Sequence, residues 1–173
     1  MSLAAIQTKA KAKPSIVIIY GPSGLGKTTL AVGSKNPIVL QTEEGLGILT
    51  NNREIAHFPL AKDYDTFIGY LQSLVDADKL DYNTLVVDSL DWLEPLIHQK
   101  TCEVNKFRSI ESAGYGKGYI EALKFWREFL DLINRLRNEK KMRIVLIAHN
   151  QIKAFHDPST ESYDRHELKL NKH

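Results

Sequence analysis

The β-branched run Ile16-Val17-Ile18-Ile19-Tyr20 stops at Gly21, and a loop of glycine, proline and serine then ends in Gly26-Lys27-Thr28-Thr29. Leu30-Ala31-Val32 follow with helix-compatible residues. A strand, a glycine loop and a helix in that order, with G-x-x-x-x-G-K-T running from Gly21 to Thr28, constrain the fold more than any other stretch of the chain. Glycines at 21, 24 and 26 let the backbone turn tightly and aim its N–H groups at an anion. The helix that opens at the loop's end points unpaired N–H groups and its positive dipole end at the same place. Lys27 adds a full charge for the β- and γ-phosphates, and the Thr28 hydroxyl can ligate Mg²⁺. Residues Gly21, Pro22, Ser23, Gly24, Leu25, Gly26, Lys27, Thr28 and Thr29 are therefore expected to cradle a nucleoside triphosphate, with ATP and Mg²⁺ as the ligands.

A chain of 173 residues fits one domain, and 43 % hydrophobic with 25 % charged residues is an ordinary globular composition. The net charge of +2 gives no global basic field, so any nucleic-acid surface must be local. The single cysteine, Cys102, excludes an internal disulfide and fits a reducing cytoplasm. No apolar run approaches the length of a membrane span, so no membrane association is expected. Residues 1–14, small and basic with Lys9, Lys11 and Lys13, read as a mobile arm ahead of one domain over 15–173.

After the first helix, Ile38-Val39-Leu40 reads as a short buried strand ending in Gln41-Thr42-Glu43-Glu44-Gly45. Ligands of an open α/β sheet sit at the carboxyl ends of its strands, where hydrolysis needs a group to orient the attacking water. Glu43, ahead of Glu44, is the expected catalytic carboxylate; a solvated acidic turn is the bland alternative. Ile55-Ala56-His57-Phe58 suggests a short strand. Helical spacing of Phe67, Tyr70, Leu71, Leu74 and Val75 predicts a packing helix within 63–80, with Asp65 as its N-cap. Thr84-Leu85-Val86-Val87-Asp88 is a strand ending in an aspartate, the Walker B form, so Asp88 is expected beside Thr28 at the metal. A helix should follow over 89–100.

Between 99 and 119 the pattern loosens, and Gly114-Tyr115-Gly116-Lys117-Gly118-Tyr119 offers stackable rings and a cation on a flexible segment. Residues 120–137 form the best helical pattern in the chain, covering one face of the sheet. Met142 to Ala148 reads as another buried strand, ending in His149-Asn150-Gln151. Polar groups there can sense a γ-phosphate; His149 leads, without a firm choice among the three. The end of the chain begins as a loop near Asp157-Pro158-Ser159 and finishes in a strand-like Glu167-Leu168-Lys169-Leu170 with no cap, which reads as a truncated piece.

In this order, the phosphate loop, Glu43, Val-Val-Asp-Ser, Gly-Tyr-Gly-Lys-Gly-Tyr, Ile-Ala-His and the Tyr-Asp-Arg…Leu-Lys-Leu block resemble bacteriophage nucleotide-binding proteins of the RecA-like class. Some of these are single-strand annealing or recombination proteins. The resemblance implies Glu43 and Lys27 as catalytic, His149 or a neighbour as sensor, and Thr28 with Asp88 as metal ligands. It implies single-stranded DNA at loops 106–119 and 152–166. It also implies a homo-oligomer whose ATP site lies at a subunit interface, where Arg165 or Lys153 acts in trans or touches DNA. The expectation is an α/β three-layer P-loop domain with a mainly parallel sheet, RecA-like, that hydrolyses ATP in phage DNA recombination or annealing inside a bacterial cytoplasm. A helicase- or loader-type motor and a nucleotide-gated binding module with little hydrolysis are the rival readings.

Overall fold

The computed structural model describes residues 12–47, 54–156 and 162–171. In chain order these form β1 (Ile16–Gly21), α1 (Lys27–Val32), β2 (Pro37–Gln41), β3 (Ala56–His57) and α2 (Tyr64–Asp76). Then come β4 (Thr84–Asp88), α3 (Leu90–Asn105), α4 (Lys117–Asn138), β5 (Arg143–Phe155) and β6 (Tyr163–Leu168). The strands lie in the order β1-β5-β4-β2-β3, all parallel, and β6 pairs antiparallel with the distal half of β5.

A parallel sheet is covered on both faces, so its strands are apolar on both sides. Ile38, Leu40, Leu85, Val87, Ile144 and Leu146 face one way, into a core completed by Phe67 and Leu71 of α2, Leu93 and Ile97 of α3, and Phe129, Ile133 and Leu136 of α4. Their neighbours Val39, Val86, Val145 and Ile147 face the other way, against Ala31 and Val32 of α1 and against Leu46 and Ile55. This is the three-layer α/β arrangement that the sequence predicts. Each fully buried large side chain, such as Phe67 or Ile144, contributes about 1.5–3 kcal/mol relative to an exposed one.

Several local expectations are corrected. Asp63, not Asp65, caps α2: its carboxylate accepts from Thr66 N at 2.7 Å and from Thr66 Oγ1 at 2.9 Å. Asp65 sits in the first turn and pairs with Lys100. The Walker B helix runs on to Asn105, and α4 begins three residues before Ile120. The stretch between them is a built turn rather than a loose one. Ser109 and Ser112 bond each other reciprocally, and Gly114 N donates to Glu111 O at 3.0 Å. Gly114 and Gly116 take positive φ. Gly118 lies so close to Ile110 that a Cβ would stand 1.9 Å from its carbonyl oxygen. The expected loop 152–166 is instead largely a β-hairpin, with Lys153 opposite Arg165 and Phe155 opposite Tyr163; residues 157–161 lie outside those described. The end strand stops at Leu168. Of the arm expected at 1–14, residues 1–11 lie outside those described, and Pro14 O accepts from Arg137 Nε at 2.6 Å. No described helix is long and apolar enough to cross a membrane.

Candidate functional site

The strand order sets the geometry. β5 lies between β1, which leads into the glycine loop, and β4, which ends at Asp88. At a spacing of about 4.8 Å per strand, this opens a gap of roughly 10 Å across the end of β5. Gly21 pairs in register with His149, and Gln41 with Asp88, so the loop, His149, Asp88 and the turn carrying Glu43 share one carboxyl edge.

Gly24 and Gly26 have φ of 78° and 86°, the left-handed region that side chains disfavour. α1 is only six residues long. Of the two contributions expected from this helix, its unpaired first-turn N–H groups and its dipole, the N–H groups therefore dominate. Lys27 is only 7 % exposed, and its ammonium donates to Gly21 O at 2.9 Å and Pro22 O at 2.8 Å. Two of its three donors are thereby used, and the third remains for a ligand. Thr28 Oγ1 donates to Asp88 Oδ2 at 2.6 Å across sixty residues of sequence.

A threonine clamp places Glu43. Thr42 N donates to Asp88 O at 2.8 Å, Thr42 Oγ1 donates to Ser89 O at 2.7 Å, and Ser89 N returns a bond to Thr42 Oγ1 at 2.9 Å. The end of β2 is thus fastened to the end of β4, one residue before Glu43. Burial raises the Glu43 carboxyl above its usual range, helped by the negative Asp88 and Asp91 and opposed by His149 and the Ser89 hydroxyl. Burial likewise raises Asp88, against the pull of Thr28, His149 and Lys27. The Ser89 hydroxyl is buried near the Glu43 and Asp91 carboxylates without a hydrogen bond of good geometry to either.

Asp91, on the first turn of α3, holds His149 twice. Its carboxylate accepts from His149 N at 2.9 Å and lies 2.9 Å from Nδ1, with the Asp91 side chain only 3 % exposed. Burial alone would raise Asp91, but the bonds from the His149 backbone and ring, with the Ser89 hydroxyl dipole nearby, outweigh it and keep the carboxyl below its usual range. An ionised carboxylate only accepts, so Nδ1 carries the proton and Nε2 is left free of that bond. Asn150 and Gln151 are committed to the hairpin instead, Asn150 Nδ2 against His166 Nδ1 and Gln151 Nε2 donating to Leu168 O.

Ser23, Gly24, Gly26, Lys27, Thr28, Thr29, Glu43, Glu44, Asp88 and His149 line one cavity of about 370 Å³. Gly21 and Pro22 back it through their carbonyls, while Leu25 is 69 % exposed. The volume falls in the range of ligand pockets, about 300–1,000 Å³. The Thr28 hydroxyl and Asp88 carboxylate are hard oxygen donors that fit Mg²⁺, which is commonly held by one or two protein groups together with phosphate oxygens. Among the described residues no group of three or more His, Cys, Asp or Glu could hold a metal ion. Arg165 is occupied, paired with Glu167 and lying 4.5 Å over the Phe155 ring. Sequence reading missed Thr42, Ser89 and Asp91. The signal available for Asp91 was an acidic first-turn residue three places after Asp88.

A family model described as an AAA domain matches residues 13–173. The chain is also similar to the SPbeta prophage-derived uncharacterized protein YorG of Bacillus subtilis (strain 168), 25 % identical over 140 residues, which is 78 % of this chain. It spans 40 % of the length of that relative. Matched by this family model along nearly its whole length, the chain belongs to the AAA-domain family of P-loop nucleotide-binding ATPases.

Proposed function

We infer that this domain hydrolyses ATP and couples the hydrolysis to single-stranded DNA, in phage DNA recombination or strand annealing. The observation that carries the ATPase reading is the meeting of Lys27, the Thr28–Asp88 pair, Glu43 and His149 in one cavity at the carboxyl edge of the sheet. Lys27 supplies charge to the β- and γ-phosphates. Glu43, fixed through the Thr42 clamp, orients a water for in-line attack on the γ-phosphorus and takes up its proton as ADP leaves. His149, oriented by Asp91, presents Nε2 towards the transferred phosphoryl group. Mg²⁺ bound by Thr28, Asp88 and phosphate oxygens would neutralise charge that develops on the phosphates.

The DNA part of the reading is supported by the resemblance of the Gly-Tyr-Gly-Lys-Gly-Tyr and Tyr-Asp-Arg blocks to RecA-like phage proteins, and by the prophage origin of a relative. Tyr115 stands fully in solvent on a segment bent by three successive positive φ values. A second copy of the chain, completing the ATP site, belongs to the same reading. The test is ATP turnover with and without oligo(dT) at low salt, with Lys27→Ala as control. Turnover that DNA raises and the control lacks is the expected result. ATP binding without turnover in either condition would replace the ATPase by a nucleotide-gated binding module. Turnover indifferent to DNA would remove the DNA role and leave the ATPase.

A further inference from the structure

A second cavity, of about 600 Å³, lies between the first turns of α3 and the β5–β6 hairpin, and Asp91, Trp92, Pro95, Gln151, Lys153 and Lys169 are among its walls. Trp92 is 52 % exposed. Lys153 and Lys169 form no ion pair with the described residues. The two carboxylates of the cavity already accept hydrogen bonds: Asp91 from His149, and Glu94 from the N–H of Asn171, itself a wall of the cavity, at 2.9 Å. An exposed indole sharing a cavity with two ammonium groups that have no ion pair among the described residues is the combination that holds a single strand, with the ring for a base and the cations for its phosphates.

We propose that this cavity binds single-stranded nucleic acid, a base stacking on Trp92 and the flanking phosphates pairing with Lys153 and Lys169. The proposal rests on the DNA-dependent reading above and names where the strand sits. A polymer fits better than a free nucleotide because the surface continues. Residues 91, 94, 95 and 98 share one face of α3 over about 10 Å, at 1.5 Å per residue. At the far end His98 meets Tyr119 edge-on at 5.4 Å, in the segment that bears the exposed Tyr115. Asp91 belongs to both cavities in effect: it is a wall of this one and the anchor of His149 in the other. Nucleotide and strand therefore act on the same buried carboxylate, and each changes the affinity for the other by the same factor.

The chain has two tryptophans, and Trp126 packs against Phe129, so Trp126→Phe leaves Trp92 as the only reporter. Titrating that variant with oligo(dT) at low salt, with a non-hydrolysable ATP analogue present, should quench its fluorescence. In anisotropy with labelled oligo(dT), Trp92→Ala should bind between about fivefold and a hundredfold more weakly. Lys153→Gln and Lys169→Gln, which leave the indole in place, should each weaken binding and reduce the slope of log K against log salt by about 0.7. Omitting the ATP analogue should change the affinity for oligo(dT). Unchanged oligo(dT) binding in all three variants, with no quenching, would overturn the site and leave the DNA role standing elsewhere. Equal quenching by thymidine monophosphate or inorganic phosphate would make this a free-anion or nucleotide site instead. Failure of the unaltered chain to bind oligo(dT) while it still binds ATP would overturn both this proposal and the DNA role.

Discussion

Glu43 and Asp91 show how neighbouring carboxylates in one network are pushed apart by their surroundings. Burial lifts the Glu43 carboxyl above its ordinary 4.5, and a base is active only when deprotonated. The acid limb of the pH–rate profile for ATP hydrolysis should therefore lie above pH 4.5, with turnover falling as pH drops through it. Glu43→Gln should remove that limb and lower kcat by about 10²–10⁴-fold while leaving ATP affinity close to normal. Asp91 goes the other way, held below 3.8 by the hydrogen bonds it accepts. A depressed carboxyl contributes stability above its unfolded value and loses it as pH falls through the folded one. Asp91→Asn gives up one acceptor and should cost about 1.5–3 kcal/mol at neutral pH. In acid melts it should also lose the part of the pH dependence that lies below 3.8. Lys27, Thr28 and Asp88 were legible in the sequence because the phosphate loop and the strand-end aspartate fix them by local spacing. Asp91 was not, because its partner His149 stands 58 residues away and meets it only once β5 is inserted beside β4.

At the scale of the elements, periodicity found α2 and α4, and α3 was expected only as the element after the Walker B strand, whereas glycine and the short polar caps decided where helices begin. Three glycines around Tyr115 read as looseness, yet two of them supply positive φ and the third makes room for a backbone. In Gly118→Ala the new methyl meets Ile110 O at 1.9 Å inside a helix that cannot shift freely. The variant should lose about 1–3 kcal/mol, seen as a fall in Tm, as expected for an overpacked contact. Asp63→Ala removes the cap of α2 and should cost about 0.5–2 kcal/mol, whereas Asp65→Ala, which breaks an ion pair of exposed Asp65, should fall within about 1 kcal/mol. A urea series on the three variants would rank them. The β5–β6 hairpin escaped the sequence reading for a different reason. Its residues are mostly exposed on both sides, so no apolar alternation marks it, and the stretch from Lys153 to Arg165 looks like a polar loop.

On the scale of the whole molecule, the sheet is unequally finished. β3, at one edge, is two residues long, while β1, at the other, runs for six and pairs among the described strands with β5 alone. Val17, Ile18 and Tyr20 on β1 are 41 %, 46 % and 46 % exposed, and Leu30 on α1 is 67 % exposed. A long apolar edge offers unpaired backbone groups and invites another strand. β1 runs straight into the phosphate loop, so whatever covers this edge lies beside the nucleotide. That position suits the homo-oligomer with a shared ATP site that the resemblance to RecA-like proteins implies. The chain should therefore self-associate in sedimentation velocity runs, and ATP with Mg²⁺ should shift the distribution. Ile18→Lys puts an ammonium on the sheet face, beside the side chains that a covering strand would bring, and should weaken the association at least about tenfold, or 1.4 kcal/mol. Ile18 is 46 % exposed, so the variant should keep its ATP affinity, which separates a lost interface from a lost fold. A wild-type chain that stays monomeric at high concentration, with and without ATP, would mean that this edge is covered by something other than a second copy.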